Sequence, residues 1–140
     1  KAACLTALVA ATVGTLAFAQ DTGDVAAGKK AFAKCRSCHS VVTEDGTAIE
    51  RGGRNGPNLY GVTGRNAGSV PGFRYLDSIK EAGTAGLVWD AQSFAAYVRN
   101  PTAFLREWLG DGSARSAMTF KLKNGAEDIY AYLASIGPRQ

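Results

Sequence analysis

The chain has 140 residues, the length of a single domain, and its formal net charge at pH 7 is +4. A global charge this small gives no support for nucleic-acid binding, which favours a concentrated basic stripe. With three cysteines and one histidine, the sequence also offers few of the ligands from which multi-residue metal sites are built.

The N-terminal segment has the pattern of a secretory signal peptide. Lys1 supplies a positive start, an apolar run follows as far as Leu16, and Ala17-Phe18-Ala19 is a small-x-small cleavage site. We expect residues 1–19 to be removed, which leaves a single domain over residues 20–140 without a membrane-inserted segment, because the apolar run is too short for a confident span. One of the three cysteines would leave with this leader.

A helix and then a cysteine-rich pentad follow the leader. Asp24 is a suitable N-cap, and the sequence predicts a helix from Val25 to Lys34. Directly after it comes Cys35-Arg36-Ser37-Cys38-His39, the attachment signature of a covalently held c-type haem. Residues three and four apart on a helical turn share a face, so both thiols and the imidazole would converge on one haem edge. The pattern predicts haem c bound through Cys35 and Cys38, with His39 as an iron ligand.

Two other interpretations of the pentad were weighed. A structural zinc site needs four ligands, but the chain offers only one further cysteine, Cys4, and no second histidine. A thioredoxin-like dithiol needs a strand before the cysteines and a βαβ setting, whereas a helix precedes this pair and a glycine-rich loop follows it. Both alternatives are therefore much weaker than haem attachment.

The remainder of the chain predicts a long loop and several short helices, without a sheet. The loop, from Thr43 to Gly72, is rich in Gly, Asn, Arg and Pro, and loops of this length usually wrap a site. The expected helices are Ser78–Ala82 ended by Gly83, Ala91–Arg99 capped by Asp90 and stopped by Pro101, Thr102–Leu109, and Gly125–Ile136 capped by Asn124. The segment from Gly110 to Lys123 is expected to be irregular.

Met118 is the only methionine in the chain. A lone methionine is normally core filler, but an iron with one histidine needs a sixth ligand or an open face, and no other histidine exists. We therefore expect Met118 to be the second axial ligand, together with His39. With both axial positions filled, the iron would move single electrons and would have no room for a substrate.

The sequence resembles the class I c-type cytochromes, specifically the bacterial cytochrome c2 group. The resemblance covers Asp24 to Ile136 and rests on motifs that occur in family order. Besides the pentad, these are Gly28-x-x-x-Phe32, Gly56-Pro57-Asn58-Leu59-Tyr60-Gly61, Gly64-Arg65, Trp89, Tyr97-Val98-Arg99-Asn100-Pro101, Met118-Thr119-Phe120 and Asp128-Ile129-Tyr130-Ala131-Tyr132-Leu133. It implies an all-α class I cytochrome c fold, with short helices and long loops around one covalent haem.

The resemblance also implies roles for individual residues. The Pro57 carbonyl would accept a hydrogen bond from His39 and so fix the orientation of this ligand. Tyr75 and Trp89 would donate to a haem propionate, with Arg65 close enough to offset its charge. Tyr97 would lie under the macrocycle near the Met118 sulfur. The Gly28 segment would pack closely against the terminal helix, with Phe32 against Tyr132.

The expected function is electron transfer rather than enzyme catalysis. Export and haem attachment together indicate the bacterial periplasm. We expect a monomer there, and a carrier of the cytochrome c2 kind would take its electrons from a quinol-oxidising cytochrome bc1-type complex. The acceptor would be a photosynthetic reaction centre, a terminal oxidase or a nitrogen-oxide reductase. Cations beside the pentad and beside the methionine are expected to form a ring that meets acidic docking faces on these membrane complexes, namely Lys34, Arg36, Arg115, Lys121 and Lys123.

Two rival functions share the haem. The first is a gas-binding or peroxidase-like protein with an open sixth iron site, in which Met118 would be core filler; it lacks a second histidine for distal chemistry. The second is a haem-carrying interaction or apoptosis-like signalling module, which shares the fold and which a bacterial leader disfavours.

Overall fold

The computed structural model describes residues 23–138 of the chain. The predicted signal peptide, its cleavage site after Ala19 and the start of the mature domain at Gln20 therefore lie outside the described residues. Among the helices of residues 23–138, none is long and apolar enough to cross a bilayer.

Five α-helices and one small hairpin form this part of the chain. In chain order the elements are α1 (Val25–Ala31), β1 (Val41–Val42), β2 (Ala48–Glu50), α2 (Asp77–Thr84), α3 (Ala91–Arg99), α4 (Pro101–Leu109) and α5 (Ala126–Ile136). The prediction of a mainly helical domain with long connecting loops is confirmed.

Helices α1 and α5 are in direct backbone contact at Gly28. A Cβ atom at this position would overlap the carbonyl oxygen of Asp128 and would lie 2.9 Å from the Tyr132 Cβ, so only glycine permits the approach. The rings of Phe32 and Tyr132 pack edge to face beside it, with centroids 5.9 Å apart. This contact agrees with the expectation from the sequence and fixes the residues that precede the pentad.

The expectation that no sheet occurs is wrong in detail. Strands β1 and β2 form a two-stranded antiparallel hairpin in which Val41 faces Glu50 and Val42 faces Ala48. The Asp45 carboxylate stabilises the turn by accepting hydrogen bonds from the Thr43 hydroxyl and the Thr47 amide. Strands of two and three residues are too short for an alternating pattern to reveal them.

Two predicted helix boundaries differ from the structure for packing reasons. The first helix ends at Ala31 and continues as a 3₁₀ turn over Phe32–Lys34, which tightens the chain just before the pentad. Helix α2 runs through Gly83 to Thr84, although Gly83 was expected to end it. A Cβ at Gly83 would overlap the Ala67 carbonyl oxygen, so this glycine permits a close helix–loop contact.

Two expected helix caps are confirmed, and two expectations at helix starts are wrong. The Asp24 carboxylate caps α1 by accepting hydrogen bonds from the Ala26 and Ala27 amides, as predicted. Asp90 caps α3 in a reciprocal capping box with Ser93, as predicted. Pro101 was predicted to lie outside any helix but is the first residue of α4, where its missing N–H costs nothing, and Asn100 caps that helix. Asn124 was predicted to cap α5, but Gly125 occupies the cap position with φ +84° and no side-chain hydrogen bond is made there.

Candidate haem site

The pentad forms a single helical turn that directly follows the 3₁₀ turn. The amides of Cys38 and His39 both donate to the Cys35 carbonyl, at 3.1 and 2.9 Å, which puts the residues of the pentad in the spacing expected of a helix. Both thiols are free and partly buried. Burial raises the pKa of the Cys35 thiol to about 11.

The His39 ring is fixed by a backbone carbonyl. Its Nδ1 lies 2.8 Å from the Pro57 oxygen, and because a carbonyl can only accept, Nδ1 carries the proton and Nε2 keeps a free lone pair. Burial lowers the pKa of His39, which favours the neutral ring. A Cβ at Gly56 would overlap the imidazole, so this glycine makes room for the ring. The ring is therefore held as a metal ligand requires.

The loop beneath the pentad is shaped by two more glycines. The Gly53 amide donates to the Arg36 carbonyl at 2.9 Å, and the Gly56 amide donates to the Cys38 carbonyl at 2.8 Å. A Cβ at Gly52 or Gly53 would overlap the carbonyl oxygen of His39 or of Ser37. The loop and the pentad thus lie backbone to backbone, which explains the run of glycines in the sequence.

Met118 is held in its irregular segment by the hydroxyl of Ser116. The Met118 amide donates to Ser116 Oγ at 3.0 Å, and the same oxygen lies 2.7 Å from the Tyr97 hydroxyl. The Ser116 amide in turn donates to the Thr102 hydroxyl of α4 at 3.2 Å. No sequence pattern points to Ser116, because a serine two residues before a methionine carries no signal of its own.

Replacing Ser116 by alanine should loosen the Met118 segment. We expect a loss of about 2 kcal/mol in the free energy of unfolding of the haem-loaded protein, since the Ser116 hydroxyl makes two hydrogen bonds, to the Met118 amide and the Tyr97 hydroxyl, and each contributes roughly 1 kcal/mol. The change is measured by denaturant unfolding. Ser116→Thr keeps the hydroxyl and should retain most of the stability. Equal losses in the two variants would contradict a role for the hydroxyl.

Tyr97 packs between two aromatic rings in tilted and edge-to-face contacts, and its hydroxyl is already hydrogen-bonded. Its ring centroid lies 4.9 Å from that of Trp89 and 5.9 Å from that of Phe104. Burial raises the pKa of Tyr97, so the phenol is neutral. Tyr97 is connected to Met118 through Ser116, whereas the resemblance implies a position for Tyr97 near the Met118 sulfur.

Arg65 lies close to both Tyr75 and Trp89. The Trp89 amide donates to the Arg65 carbonyl at 3.0 Å, which joins their backbones, and the Trp89 side chain is buried. Burial raises the pKa of Tyr75, an effect that the nearby Arg65 charge opposes. The Arg65 guanidinium already donates to the Tyr60 and Asn58 carbonyls, at 2.9 and 3.0 Å. Arg65 therefore anchors the loop after the pentad, and a propionate contact would be additional to this.

The set of donors fits a covalently attached haem. Two free thiols stand three residues apart on one turn, an imidazole presents its Nε2, and one thioether side chain, that of Met118, is partly buried. The five cations predicted to surround this site are all exposed: Lys34, Arg36, Arg115, Lys121 and Lys123.

The chain is similar to bacterial cytochromes of known type. It is 58% identical over 114 residues to cytochrome c-551 of Roseobacter denitrificans, which covers 81% of each chain. It is 50% identical over 131 residues to cytochrome c2 of Rhodobacter capsulatus, covering 92% of this chain and 96% of the relative. No protein-family profile matches the chain.

Solved structures agree with these relatives. The structure of cytochrome c2 from Rhodobacter capsulatus superposes with a TM-score of 0.79 at 52% identity, covering 81% of this chain and 98% of that one. Ferric cytochrome c-550 from Paracoccus versutus gives a TM-score of 0.80 at 46% identity, covering 83% and 99%. The class I cytochrome c fold and the single covalent haem c expected from the sequence are thereby confirmed. The chain belongs to the bacterial cytochrome c2 family, whose members are electron-transfer haem proteins.

Proposed function

We propose that the protein is a monomeric, non-enzymatic electron carrier of the bacterial periplasm. It would take electrons from a quinol-oxidising cytochrome bc1-type complex and give them to a reaction centre, a terminal oxidase or a nitrogen-oxide reductase. The periplasmic location is supported by the leader pattern of residues 1–19, whose removal would leave residues 20–140 as the mature domain.

The observation that carries this proposal is the hydrogen bond between His39 Nδ1 and the Pro57 carbonyl. This bond leaves Nε2 with the lone pair that an iron ligand must present, and His39 directly follows the cysteine pair that would attach haem. Bound haem supplies one iron that exchanges a single electron between Fe(II) and Fe(III).

Each predicted site residue has a place in this proposal. Cys35 and Cys38 would form the thioether bonds, and His39 and Met118 would be the axial ligands. Pro57 holds the His39 ring, Tyr97 supports the Met118 segment through Ser116, and Arg65, Tyr75 and Trp89 would surround a propionate. The chain keeps these side chains in place with backbone hydrogen bonds and close packing, so little has to move when the electron arrives or leaves.

The exposed cations would guide the protein to acidic partners. We expect the rate of electron transfer from an isolated bc1-type complex to the oxidised holoprotein to fall steeply as salt rises. The reason is that the screening length shrinks from about 30 Å at 0.01 M salt to about 8 Å at 0.15 M. Stopped-flow mixing over this range measures the effect.

A pair of variants tests whether the charge beside Met118 contributes. Lys121→Gln should slow the reaction at low salt and flatten its salt dependence, whereas Lys121→Arg keeps the charge and should behave as the parent does. A rate that is independent of salt in the parent protein would refute docking through these cations.

A further inference from the structure

Glu50, at the end of β2, joins three separate parts of the chain through one carboxylate. Its Oε1 accepts a hydrogen bond of 2.6 Å from the Tyr132 hydroxyl of α5. Its Oε2 lies 3.7 Å from the guanidinium of Arg36, the second residue of the pentad. Only 12% of the Glu50 side chain is exposed, compared with 53% for Arg36. A largely buried carboxylate is stabilised by such partners, because an unpaired buried charge is costly.

The two partners of Glu50 are themselves fixed in the fold. Arg36 stands between the two cysteines, and its carbonyl accepts from the Gly53 amide at 2.9 Å. Tyr132 is 4% exposed and packs on Phe32, which lies three residues before Cys35. The pentad is thus held by the loop through its backbone and by Glu50 through the Arg36 side chain. Neither the haem ligands nor the expected docking contacts account for this carboxylate.

We propose that Glu50 is a positioning residue for the pentad, because it ties the Arg36 side chain to Tyr132 of the terminal helix. This inference rests on the proposed role of the pentad in carrying haem. The tie would keep the turn that bears both cysteines and His39 in a fixed relation to the α1–α5 pair.

The Tyr132 phenol offers a direct readout of this contact. Burial, together with the hydrogen bond to Glu50 and its negative charge, raises the pKa of Tyr132 from 10.0 to about 12. Because this pKa is raised on folding, the associated stability is complete below pH 10 and is lost as the pH rises towards 12. Removing the carboxylate charge should bring the Tyr132 pKa down towards its ordinary value.

The test uses the haem-loaded protein and near-isosteric variants. In Glu50→Gln, hydrogen exchange at the Cys38 and His39 amides should become about tenfold faster, which corresponds to an opening free energy lower by about 1.4 kcal/mol. Ultraviolet absorption titration should show that the pKa of Tyr132 is lower in Glu50→Gln than in the parent. The signal of Tyr132 is identified as the one that is missing in Tyr132→Phe. Arg36→Gln should speed exchange in the same way, and Arg36→Lys should restore slow exchange.

Arg51→Gln provides the matched control. Like Arg36→Gln, it removes one positive charge, here from the residue next to Glu50. Arg51 makes no ion pair with any acidic side chain among residues 23–138. Its exchange rates should equal those of the parent. The proposal is overturned if Glu50→Gln leaves both exchange and the Tyr132 pKa unchanged, or if Arg51→Gln speeds exchange as much as Arg36→Gln does. Electron transfer from the bc1-type complex to the parent protein, measured separately, tests the proposed function alone.

Discussion

Replacing Met118 by leucine is expected to lower the midpoint potential of the haem iron by on the order of 100 mV or more, since axial ligands set such potentials over a range of about 0.8 V. A thioether sulfur favours Fe(II), so its loss makes the reduced state harder to reach. Leucine has a volume similar to that of methionine, and this exchange lowers the free energy of unfolding by less than about 1.5 kcal/mol in most cores, so the fold should survive. Potentiometric titration followed by visible absorption measures the change.

The same variant separates the carrier from a haem protein with an open iron site. In the parent protein we expect negligible cyanide or carbon monoxide binding at neutral pH, because Met118 would occupy the sixth position. The leucine variant should bind both. Tight binding by the parent, or a Met118→Leu protein with the parent's potential, would favour the gas-binding or peroxidase-like alternative, in which Met118 is core filler.

Replacing Gly28 by alanine is expected to destabilise the protein by about 3 kcal/mol or more, at the upper end of the cost of overpacking. The added Cβ would overlap the Asp128 carbonyl oxygen and stand 2.9 Å from the Tyr132 Cβ. Backbone cannot swing aside as a flexible side chain can, so α1 and α5 must separate. Denaturant unfolding of the holoprotein measures the loss.

Gly112→Ala is the control for a glycine that is free of such contacts. A Cβ at Gly112 would meet no atom within 4 Å, and its φ lies outside the left-handed region. Alanine there should be neutral or should stabilise the protein by a few tenths of a kcal/mol, because it reduces the freedom of the unfolded chain. If the two variants lost equal stability, close packing at Gly28 would not be the cause.

The sequence was most informative where one residue type is chemically necessary. The pentad, the single methionine and the glycine facing α5 could be identified because few other residues could do their work. The boundaries of α3 were predicted correctly since Asp90 is a strong cap with a side-chain partner in the first turn. Such local signals are read without knowledge of the fold.

The remainder depended on contacts between segments far apart in the chain. The hairpin is too short for an alternating sequence pattern to reveal it. Gly83 lies inside a helix because it packs closely against Ala67, a contact that the local sequence does not show. Ser116 and Glu50 acquire their importance from partners 19 and 82 residues away, Tyr97 and Tyr132. No local pattern encodes such pairs.

The central claim is that Met118 and His39 together close the coordination of the iron. The most direct test is the proton NMR spectrum of the reduced parent holoprotein. A methyl group bound through sulfur over the face of an aromatic macrocycle is strongly shielded, and the chain has one methionine, so the assignment is unambiguous. We predict a three-proton singlet from Met118 far upfield of the ordinary methyl region. A Met118 methyl signal at its ordinary position would contradict the account.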